Sequence, residues 1–279
     1  TPPMASDALR RSFPYRALRR LKRALVGPGD PPSLQPAAAD PGFQWTEDGA
    51  RVWVETPEPP HNLINALYNE SWHTLINHCA RGLGRHMTAE GFKNNVIENE
   101  RLVYVRDDET GRFFSIPWLP VCRPFQSWRA TAEVGSLTIE NVTDDLRALW
   151  RIFVPAGRDP VEIWNLEITN LAGRPRRISL FAWVSMKCDG FDLYGGEMFR
   201  IARYLPGLQS IFVRMDAEQH LTIDFPWHNG FMTADRSPAS WDAGHGSFIG
   251  PGGRTLRDPL AVERGQCGGS HSAMWPPVA

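Results

Sequence analysis

The sequence contains little that favours a disulfide framework, a metal site or a membrane span. Its four cysteines, Cys79, Cys122, Cys188 and Cys267, lie far apart, and no two form a Cys-x-x-Cys pair. No stretch approaches the roughly 18 to 20 consecutive apolar residues that a membrane helix needs, and the amino terminus has no apolar core of a secretory signal. We therefore predict a cytoplasmic protein with reduced thiols, no metal and no membrane span.

The sequence also lacks an excess of either charge. It has 30 basic and 31 acidic side chains among 279 residues, which gives a formal net charge of −1. A chain with this balance has no overall attraction to nucleic acid or to anionic lipid. We expect no nucleic-acid partner.

The first 41 residues differ from the rest of the chain. Seven basic residues cluster there, and four apolar residues recur at helical spacing: Arg10, Arg11, Arg16, Arg19, Arg20, Lys22 and Arg23, with Tyr15, Leu18, Leu21 and Leu25. The pattern predicts a short basic amphipathic helix whose leucine face packs on its own protein, and contact with a polyanion or a membrane surface is the weaker alternative. A linker rich in proline and alanine follows, so we predict an arm over residues 1–41.

From Gly42 to Ala279 the pattern predicts one all-β domain. Short runs of β-branched and aromatic residues alternate with turn residues at fairly even intervals, as in sandwiches and barrels. The clearest hairpin joins Leu102–Arg106 to Arg112–Ile116 through a loop that ends at Gly111. No helical pattern longer than about three turns follows Gly42, which excludes an (α/α)6 barrel within this chain.

Other strands are predicted at 128–138, 148–154, 161–169, 177–186, 210–215 and 221–225. In 161–169, alternation places Trp164, Leu166 and Ile168 on one face. In 177–186 the predicted apolar face consists of alternate residues: Ile178, Leu180, Ala182, Val184 and Met186.

Motifs with catalytic potential are weak. Gly82-Leu83-Gly84 begins like a dinucleotide-binding fingerprint, but the third glycine and the surrounding βαβ unit are missing. Acidic clusters at 107–109 and 144–145 fall at predicted turns, where aspartate bonds the local backbone, so we interpret them as turn residues and not as a glycosidase pair. We predict no catalytic residue in this chain.

Tryptophan is abundant, with 11 residues. Trp118 and Trp227 lie next to prolines and outside the predicted strands, so they are the candidates for contact with a sugar or with a partner domain. Core packing is the commoner role of a tryptophan, and it remains the alternative at both positions.

The order of segments from Thr56 to Ser270 resembles the amino-terminal domain of glycoside hydrolase family 94, the cellobiose phosphorylase family formerly classed as glycosyltransferase family 36. Matching segments occur in the right order: Pro57–Asn77, Val103–Gly111, Phe153–Pro155 with Pro160–Asn170, Ser179–Val184, Ser247–Gly250 and Asp258–Cys267. The family's glycine-rich Gly-Gly-Gly-Tyr-Ser run is replaced here by Arg81-Gly82-Leu83-Gly84-Arg85, which puts any role of that loop near substrate in doubt.

This resemblance implies a large antiparallel supersandwich of the galactose mutarotase type, which in the family precedes an (α/α)6 catalytic barrel. The family cleaves β-glucosidic bonds of disaccharides or oligosaccharides with inorganic phosphate and inverts the anomeric carbon. A single aspartate of the barrel is the acid, and phosphate is the co-substrate with no further cofactor. The implied partners are an oligosaccharide, the barrel and a second copy in a homodimer. We expect the sandwich to be truncated at its carboxyl end and inactive alone.

Two other functions remain open at this point. A stand-alone carbohydrate-binding module would use Trp118 and Trp227. An independent sugar-modifying enzyme on the same kind of sandwich would need a histidine and a carboxylate facing one cleft, and His228 with Asp224 is the nearest pair.

Overall fold

The computed structural model describes residues 42–87, 93–189, 198–217 and 229–273, all within the unit Gly42–Ala279. The predicted basic helix, the linker and the strand at 221–225 lie outside the described residues. The described part is built from three antiparallel sheets and two short helices, which confirms the all-β supersandwich. None of its helices has the length and apolar character needed to cross a membrane.

Sheet 1 contains six strands in the order β1-β2-β8-β9-β10-β11. Their bounds are β1 (Gln44–Trp45), β2 (Arg51–Val54), β8 (Ser127–Glu133), β9 (Ser136–Thr143), β10 (Leu146–Phe153) and β11 (Ile163–Asn170). The predicted single strand at 128–138 is wrong, because a Val134–Gly135 turn separates β8 from β9. Gly135 has a φ of 82°, which a side chain with a Cβ rarely adopts.

Sheet 2 has the order β12-β6-β5-β4-β3, and β7 pairs with β6 beside this path. The bounds are β3 (Ile64–Tyr68), β4 (Trp72–Asn77), β5 (Gly82–Met87), β6 (Lys93–Asp107), β7 (Phe113–Ser115) and β12 (Ile178–Asp189). The pairing of β6 with β7 confirms the predicted hairpin.

Sheet 3 has the order β15-β14-β13-β16. Its strands are β13 (Met198–Leu205), β14 (Ser210–Ala217), β15 (Asn229–Thr233) and β16 (Ser272–Ala273), and the helices are α1 (His245–Ile249) and α2 (Leu260–Arg264).

The main core lies between sheets 1 and 2, where alternate side chains of both sheets meet. Along β9 and β10 every second residue is buried, as a strand with one face on a core requires. Trp150 is fully buried and meets Trp164 of β11 edge-on, with ring centroids 5.0 Å apart. This contact confirms the predicted inward face of β11, because Leu166 and Ile168 pack on the same core.

The predicted apolar face of β12 is only partly correct. Its two ends pack on the main core, but Leu180 in the middle is 45% exposed. On the opposite face, Phe181 joins a second core whose other members include Phe248 of α1 and Val262 of α2. Apolar residues occur on both faces of this edge strand, so the sequence pattern does not show which face is covered. The positions of α1 and α2 decide this.

A buried ion pair connects sheet 2 to sheet 1. Arg101 of β6 is fully buried, and its guanidinium donates to both carboxylate oxygens of Glu162, the residue before β11, at 2.7 and 3.0 Å. Glu162 also accepts the Thr74 hydroxyl at 2.5 Å and the Trp164 indole N–H at 2.7 Å. Burial opposes ionisation of Glu162, but the Arg101 charge and these hydrogen bonds outweigh it and hold the pKa of Glu162 below its usual value.

Two glycines of β5 allow close packing around this ion pair and against β4. A Cβ on Gly84 would lie 2.9 Å from the Arg101 guanidinium and 2.9 Å from the Trp72 ring. A Cβ on Gly82 would lie 1.9 Å from the carbonyl oxygen of Leu75 on β4. The Gly-x-Gly run therefore serves close packing within an antiparallel strand, which agrees with its rejection as a dinucleotide motif.

We expect Glu162→Gln to lower the free energy of unfolding by about 3–5 kcal/mol, because it leaves the Arg101 charge buried without a counter-charge. Urea denaturation at neutral pH measures the change. Glu70→Gln is the matched control, because Glu70 and its partner Arg158 have side chains 64% and 83% exposed, and such pairs contribute at most about 1 kcal/mol. Equal stabilities of the two variants would contradict the importance of the buried pair.

The same pair predicts a pH dependence. The folded pKa of Glu162 lies below its unfolded value of about 4.3, so its stabilisation is complete at neutral pH and is lost as the pH falls from the unfolded towards the folded pKa. Wild-type protein should therefore lose more stability than Glu162→Gln between neutral pH and pH 3. Parallel acid-denaturation profiles would show that another group controls the acid transition.

We expect Gly84→Ala to destabilise the protein by about 1–3 kcal/mol, because the added methyl group displaces the Arg101 or the Trp72 side chain. Gly173→Ala is the control, because nothing lies within 4 Å of the position of its Cβ and a compatible Gly→Ala change stabilises by about 0.4–1 kcal/mol. Thermal unfolding of both variants measures the difference, and a neutral Gly84→Ala would refute the packing role.

Candidate functional site

Trp118 lies in the loop that connects β7 to β8. Its φ is 72°, a left-handed conformation that is rare for a bulky residue, and Cys122 in the same loop has a φ of 56°. The Leu119–Pro120 peptide bond between them is cis. The left-handed conformations of Trp118 and Cys122 persist only because the surrounding contacts hold them.

Short hydrogen bonds close the loop on itself. The Trp118 carbonyl accepts from the Ser115 hydroxyl at 2.7 Å and from the Cys122 amide at 2.8 Å. The Trp118 indole N–H donates to the Arg123 carbonyl at 3.1 Å. The loop therefore has a defined shape that fixes the direction of the Trp118 ring.

A buried amide attaches the loop to sheet 1. Asn141 of β9, which is 1% exposed, donates to the carbonyls of Ser115 and Ile116 at 3.3 and 3.1 Å. Its carbonyl oxygen accepts the Thr143 hydroxyl at 2.8 Å. Arg123 and Asp144 form an ion pair at 3.3 Å on the outside. These contacts make the loop part of the sheet framework.

The Trp118 ring is half-buried and packs against the main core. Its N–H already has a backbone partner, so the ring face and edge that remain accessible are apolar. Such a surface suits a sugar ring or the side chains of a partner domain. The contact with a ligand or a domain stays a prediction, and Trp227, His228 and Asp224 lie outside the described residues.

The acidic cluster at 107–109 is a structural turn, as the sequence predicted. One oxygen of Asp107 accepts the amides of Glu109 and Thr110 at 2.8 and 3.2 Å, and the other accepts from Arg176 at 2.6 Å. Burial opposes ionisation, but these donors outweigh it and lower the pKa of Asp107. Asp108 accepts from Arg106 and from the Ser179 hydroxyl. Asp107 and Asp108 therefore hold the hairpin in place.

Asp144 and Asp145 form the second acidic cluster, at the turn between β9 and β10. They have φ values of 51° and 58°, conformations that aspartate tolerates better than most residues. Asp145 accepts from the Gln126 side chain at 2.7 Å and Asp144 pairs with Arg123. The interpretation as turn residues is therefore confirmed for this cluster too.

A small pocket of about 190 Å³ lies beside α1 and α2, lined by Asp242, Ser247, Leu260, Ala261, Arg264, Gln266, Cys267 and Gly268. The Asp242 carboxylate accepts the backbone amides of Gly268 and Ser270 at 2.9 and 3.0 Å, which ties the loop after α2 to the segment before α1. Burial raises the pKa of Cys267 to about 11, so its thiol is protonated at neutral pH.

Sequence reasoning missed an aromatic cluster next to this pocket. The rings of Tyr204 and Trp241 are stacked with centroids 4.8 Å apart, and the His271 ring lies 4.8 Å from Trp241 at an interplanar angle of 48°. These residues come from three distant segments, so no local pattern could have grouped them. Across the described ranges, no three His, Cys, Asp or Glu side chains are grouped as metal ligands would be.

Sequence comparison with known proteins points to a family that has this sandwich architecture. A model of the glycosyl hydrolase 94 supersandwich domain matches residues 50–279. Solabiose phosphorylase of Paenibacillus borealis is 28% identical over 243 residues, which are 83% of this chain and 31% of the relative. N,N'-diacetylchitobiose phosphorylase of Vibrio furnissii is 26% identical over 80% of this chain and 29% of the relative.

A fungal relative extends the comparison. Cellobionic acid phosphorylase of Neurospora crassa is 26% identical over 64% of this chain and 22% of the relative. The chain thus spans less than a third of the length of these relatives. The sheet architecture and the match over residues 50–279 together show that this chain belongs to glycosyl hydrolase family 94 and contains its supersandwich domain.

Proposed function

We propose that this chain is the amino-terminal, carbohydrate-associated domain of an inverting phosphorylase, and that it is not catalytic by itself. The parent enzyme would cleave a β-glucosidic bond of a disaccharide or oligosaccharide with inorganic phosphate. One observation carries the proposal: the supersandwich match fills residues 50–279, whereas the matched segment is only 31% of a relative named as a phosphorylase.

The state of the acidic residues supports a non-catalytic role. In an inverting phosphorolysis, a phosphate oxygen attacks the anomeric carbon while the bond to the leaving oxygen breaks, and that oxygen takes a proton from an acid. A side chain that donates this proton near neutral pH needs a raised pKa. The described carboxyl groups with a shifted pKa, Asp48, Asp107, Glu162 and Asp258, are all shifted downwards. They are ionised at neutral pH and cannot supply the proton.

The acid would then come from the (α/α)6 barrel that the family resemblance implies, with inorganic phosphate as co-substrate and no other cofactor. We also propose that the parent protein forms a homodimer and works in the cytoplasm. The free thiols of Cys79, Cys122 and Cys267 are consistent with that compartment. The Trp118 loop is the proposed contact with the oligosaccharide or with the barrel, and Trp227 is proposed for the same role.

The alternative function is a stand-alone carbohydrate-binding module. It is favoured by the hydrogen-bonded Trp118 loop, because an aromatic ring that is already held in place loses less conformational freedom on binding a sugar. The two proposals differ in what the isolated chain does with saccharides.

We expect the purified 279-residue chain to release no phosphate from α-glucose 1-phosphate with glucose, cellobiose or laminaribiose as acceptor. A colorimetric phosphate assay against a protein-free blank measures this, and a full-length family member is the positive control. Release above the blank would refute the non-catalytic role.

The binding-module alternative predicts that cellobiose or laminaribiose binds the isolated chain and that Trp118→Ala weakens the binding by up to about tenfold, the effect of losing an aromatic contact of roughly 0.5–1.5 kcal/mol. Titration calorimetry measures affinity, and Trp118→Phe, which keeps a flat ring, should retain most of it.

Trp45→Ala is the matched control for that experiment, because the Trp45 side chain is 62% exposed and lies outside the loop. Equal affinities of wild type and Trp118→Ala, with both variants folded by circular dichroism, would exclude Trp118 from a saccharide site.

A further inference from the structure

The outer face of sheet 1 carries a row of aligned side chains that crosses its strands. Residues directly opposite each other in an antiparallel pair point to the same face, with Cβ atoms about 4.5–5.5 Å apart. The registers of β2, β8, β9, β10 and β11 align one residue from each strand, and in strand order these are Trp53, Thr131, Thr138, Arg151 and Asn165. We call these residues the Trp53 row. It points away from the main core, because the neighbours of each member along its strand are buried in that core or pack on it.

The polar side chains of the Trp53 row have free hydrogen-bonding groups. Within the part of the chain that the structure describes, the hydroxyls of Thr131 and Thr138 and the Asn165 amide have no hydrogen-bond partner. Arg151 forms no ion pair there, and its guanidinium lies over the Phe153 ring, 5.5 Å from the centroid. Arg151 and Asn165 are exposed, and the two threonines are partly exposed. Hydroxyl and amide groups both donate and accept hydrogen bonds, so they can bind a ligand rich in hydroxyls.

The charged side chains around the row are neutralised in pairs. Three ion pairs flank it on the same face: Arg51 with Glu133, Arg129 with Glu55, and Arg147 with Glu140. A polyanion would therefore meet as many carboxylates as guanidinium groups in these pairs. This balance of charge is complementary to a polar ligand that is itself uncharged.

Aromatic rings lie towards both ends of the row. Trp53 is on β2, and Phe153 lies two residues along β10 from Arg151 and on the same face. Three strand spacings separate β2 from β10, which is about 14 Å. Flat apolar rings suit the ring faces of sugars. The strand spacing of about 4.8 Å is also close to the length of one hexose unit in an extended chain, so successive units would meet successive strands.

The outer face of sheet 2 has a different character. Its aligned polar and aromatic side chains contact each other: His73 meets Tyr68 edge-on with ring centroids 5.8 Å apart, and Arg85 donates to the Asn95 side chain at 2.8 Å. Next to them, Leu75 is apolar and 51% exposed. The Trp53 row differs in combining free hydrogen-bonding groups on consecutive strands with aromatic rings at a distance from each other.

We propose that the Trp53 row binds a linear, uncharged, β-linked oligosaccharide that lies across the strands of sheet 1. Trp53 and Phe153 contact the faces of sugar rings, and Thr131, Thr138 and Asn165 exchange hydrogen bonds with sugar hydroxyls. The β-linkage rests on the function proposed above. The surface itself depends neither on phosphorolysis nor on the Trp118 loop.

The chemistry of the row favours a saccharide over a protein partner. The centre of a protein–protein interface is its most apolar part, whereas the centre of this row consists of Thr131, Thr138 and Arg151. The row is also held in place before binding, because β8, β9 and β10 each pair with a strand on both sides. Such a surface loses little entropy when it binds a ligand.

Titration calorimetry of the 279-residue chain with cellohexaose tests the proposal. We expect cellohexaose to bind more tightly than cellobiose by about tenfold or more, because the shorter sugar cannot reach both aromatic rings. Maltohexaose, whose α-linkages make the chain coil, should bind more weakly than cellohexaose.

Two variants locate the site. Trp53→Ala should weaken cellohexaose binding by about tenfold through the loss of an aromatic contact. Thr138→Val keeps the shape of the side chain but removes its hydroxyl, and should weaken binding by about threefold to tenfold. Thr169→Val is the matched control without effect, because Thr169 lies on the same face of β11, opposite Arg147 and outside the row. Circular dichroism shows whether each variant is folded.

The proposal would be overturned by a wild type that does not bind cellohexaose, which would leave the face to contact with a protein. Equal affinities for cellobiose and cellohexaose would also overturn it, as would an affinity that neither Trp53→Ala nor Thr138→Val changes. Binding that is lost only in Trp118→Ala would place the saccharide at the Trp118 loop instead. The phosphate assay tests the non-catalytic role separately, so failure of one proposal is distinguishable from failure of the other.

Discussion

The buried contact between Arg101 and Glu162 constrains much of the surrounding structure. A charged pair is tolerated inside a protein only if its remaining donors and acceptors are satisfied, and here Thr74, Trp164 and the Gly82 carbonyl complete it. These groups belong to different strands of sheets 1 and 2. Their positions are therefore coupled, because moving either sheet would leave a buried charge or hydrogen-bonding group without its partner.

The acidic groups near the turns also have hydrogen-bond donors beside them. Asp107 and Asp108 hold the hairpin of β6 and β7 to β12 through Arg176 and Ser179, and Asp242 holds the loop after α2. The donors to Asp107 hold its pKa below the usual value, which is the opposite of what a proton donor needs. These three carboxylates therefore hold neighbouring segments of the domain together.

Two exposed segments are held to sheet 1 by the same kind of contact. The Trp118 loop is attached to sheet 1 through Asn141, and the β3 edge is attached to it through Asn65. In both cases a side-chain amide satisfies backbone carbonyls of a neighbouring segment, so an exposed apolar group is presented from a fixed framework. Pre-organised surfaces lose less entropy on binding than flexible ones do, whether the ligand is a sugar or a protein domain.

The sequence by itself determined the fold class, the β6–β7 hairpin, the inward face of β11 and the role of the acidic clusters as turn residues. Each of these depends on alternation or turn chemistry within a short window. Only the tertiary structure decided which face of β12 is covered, that Gly84 makes room for a buried ion pair, and that Trp241 contacts both Tyr204 and His271. These features require segments far apart in the chain to meet, and local residue patterns do not encode which segments become neighbours.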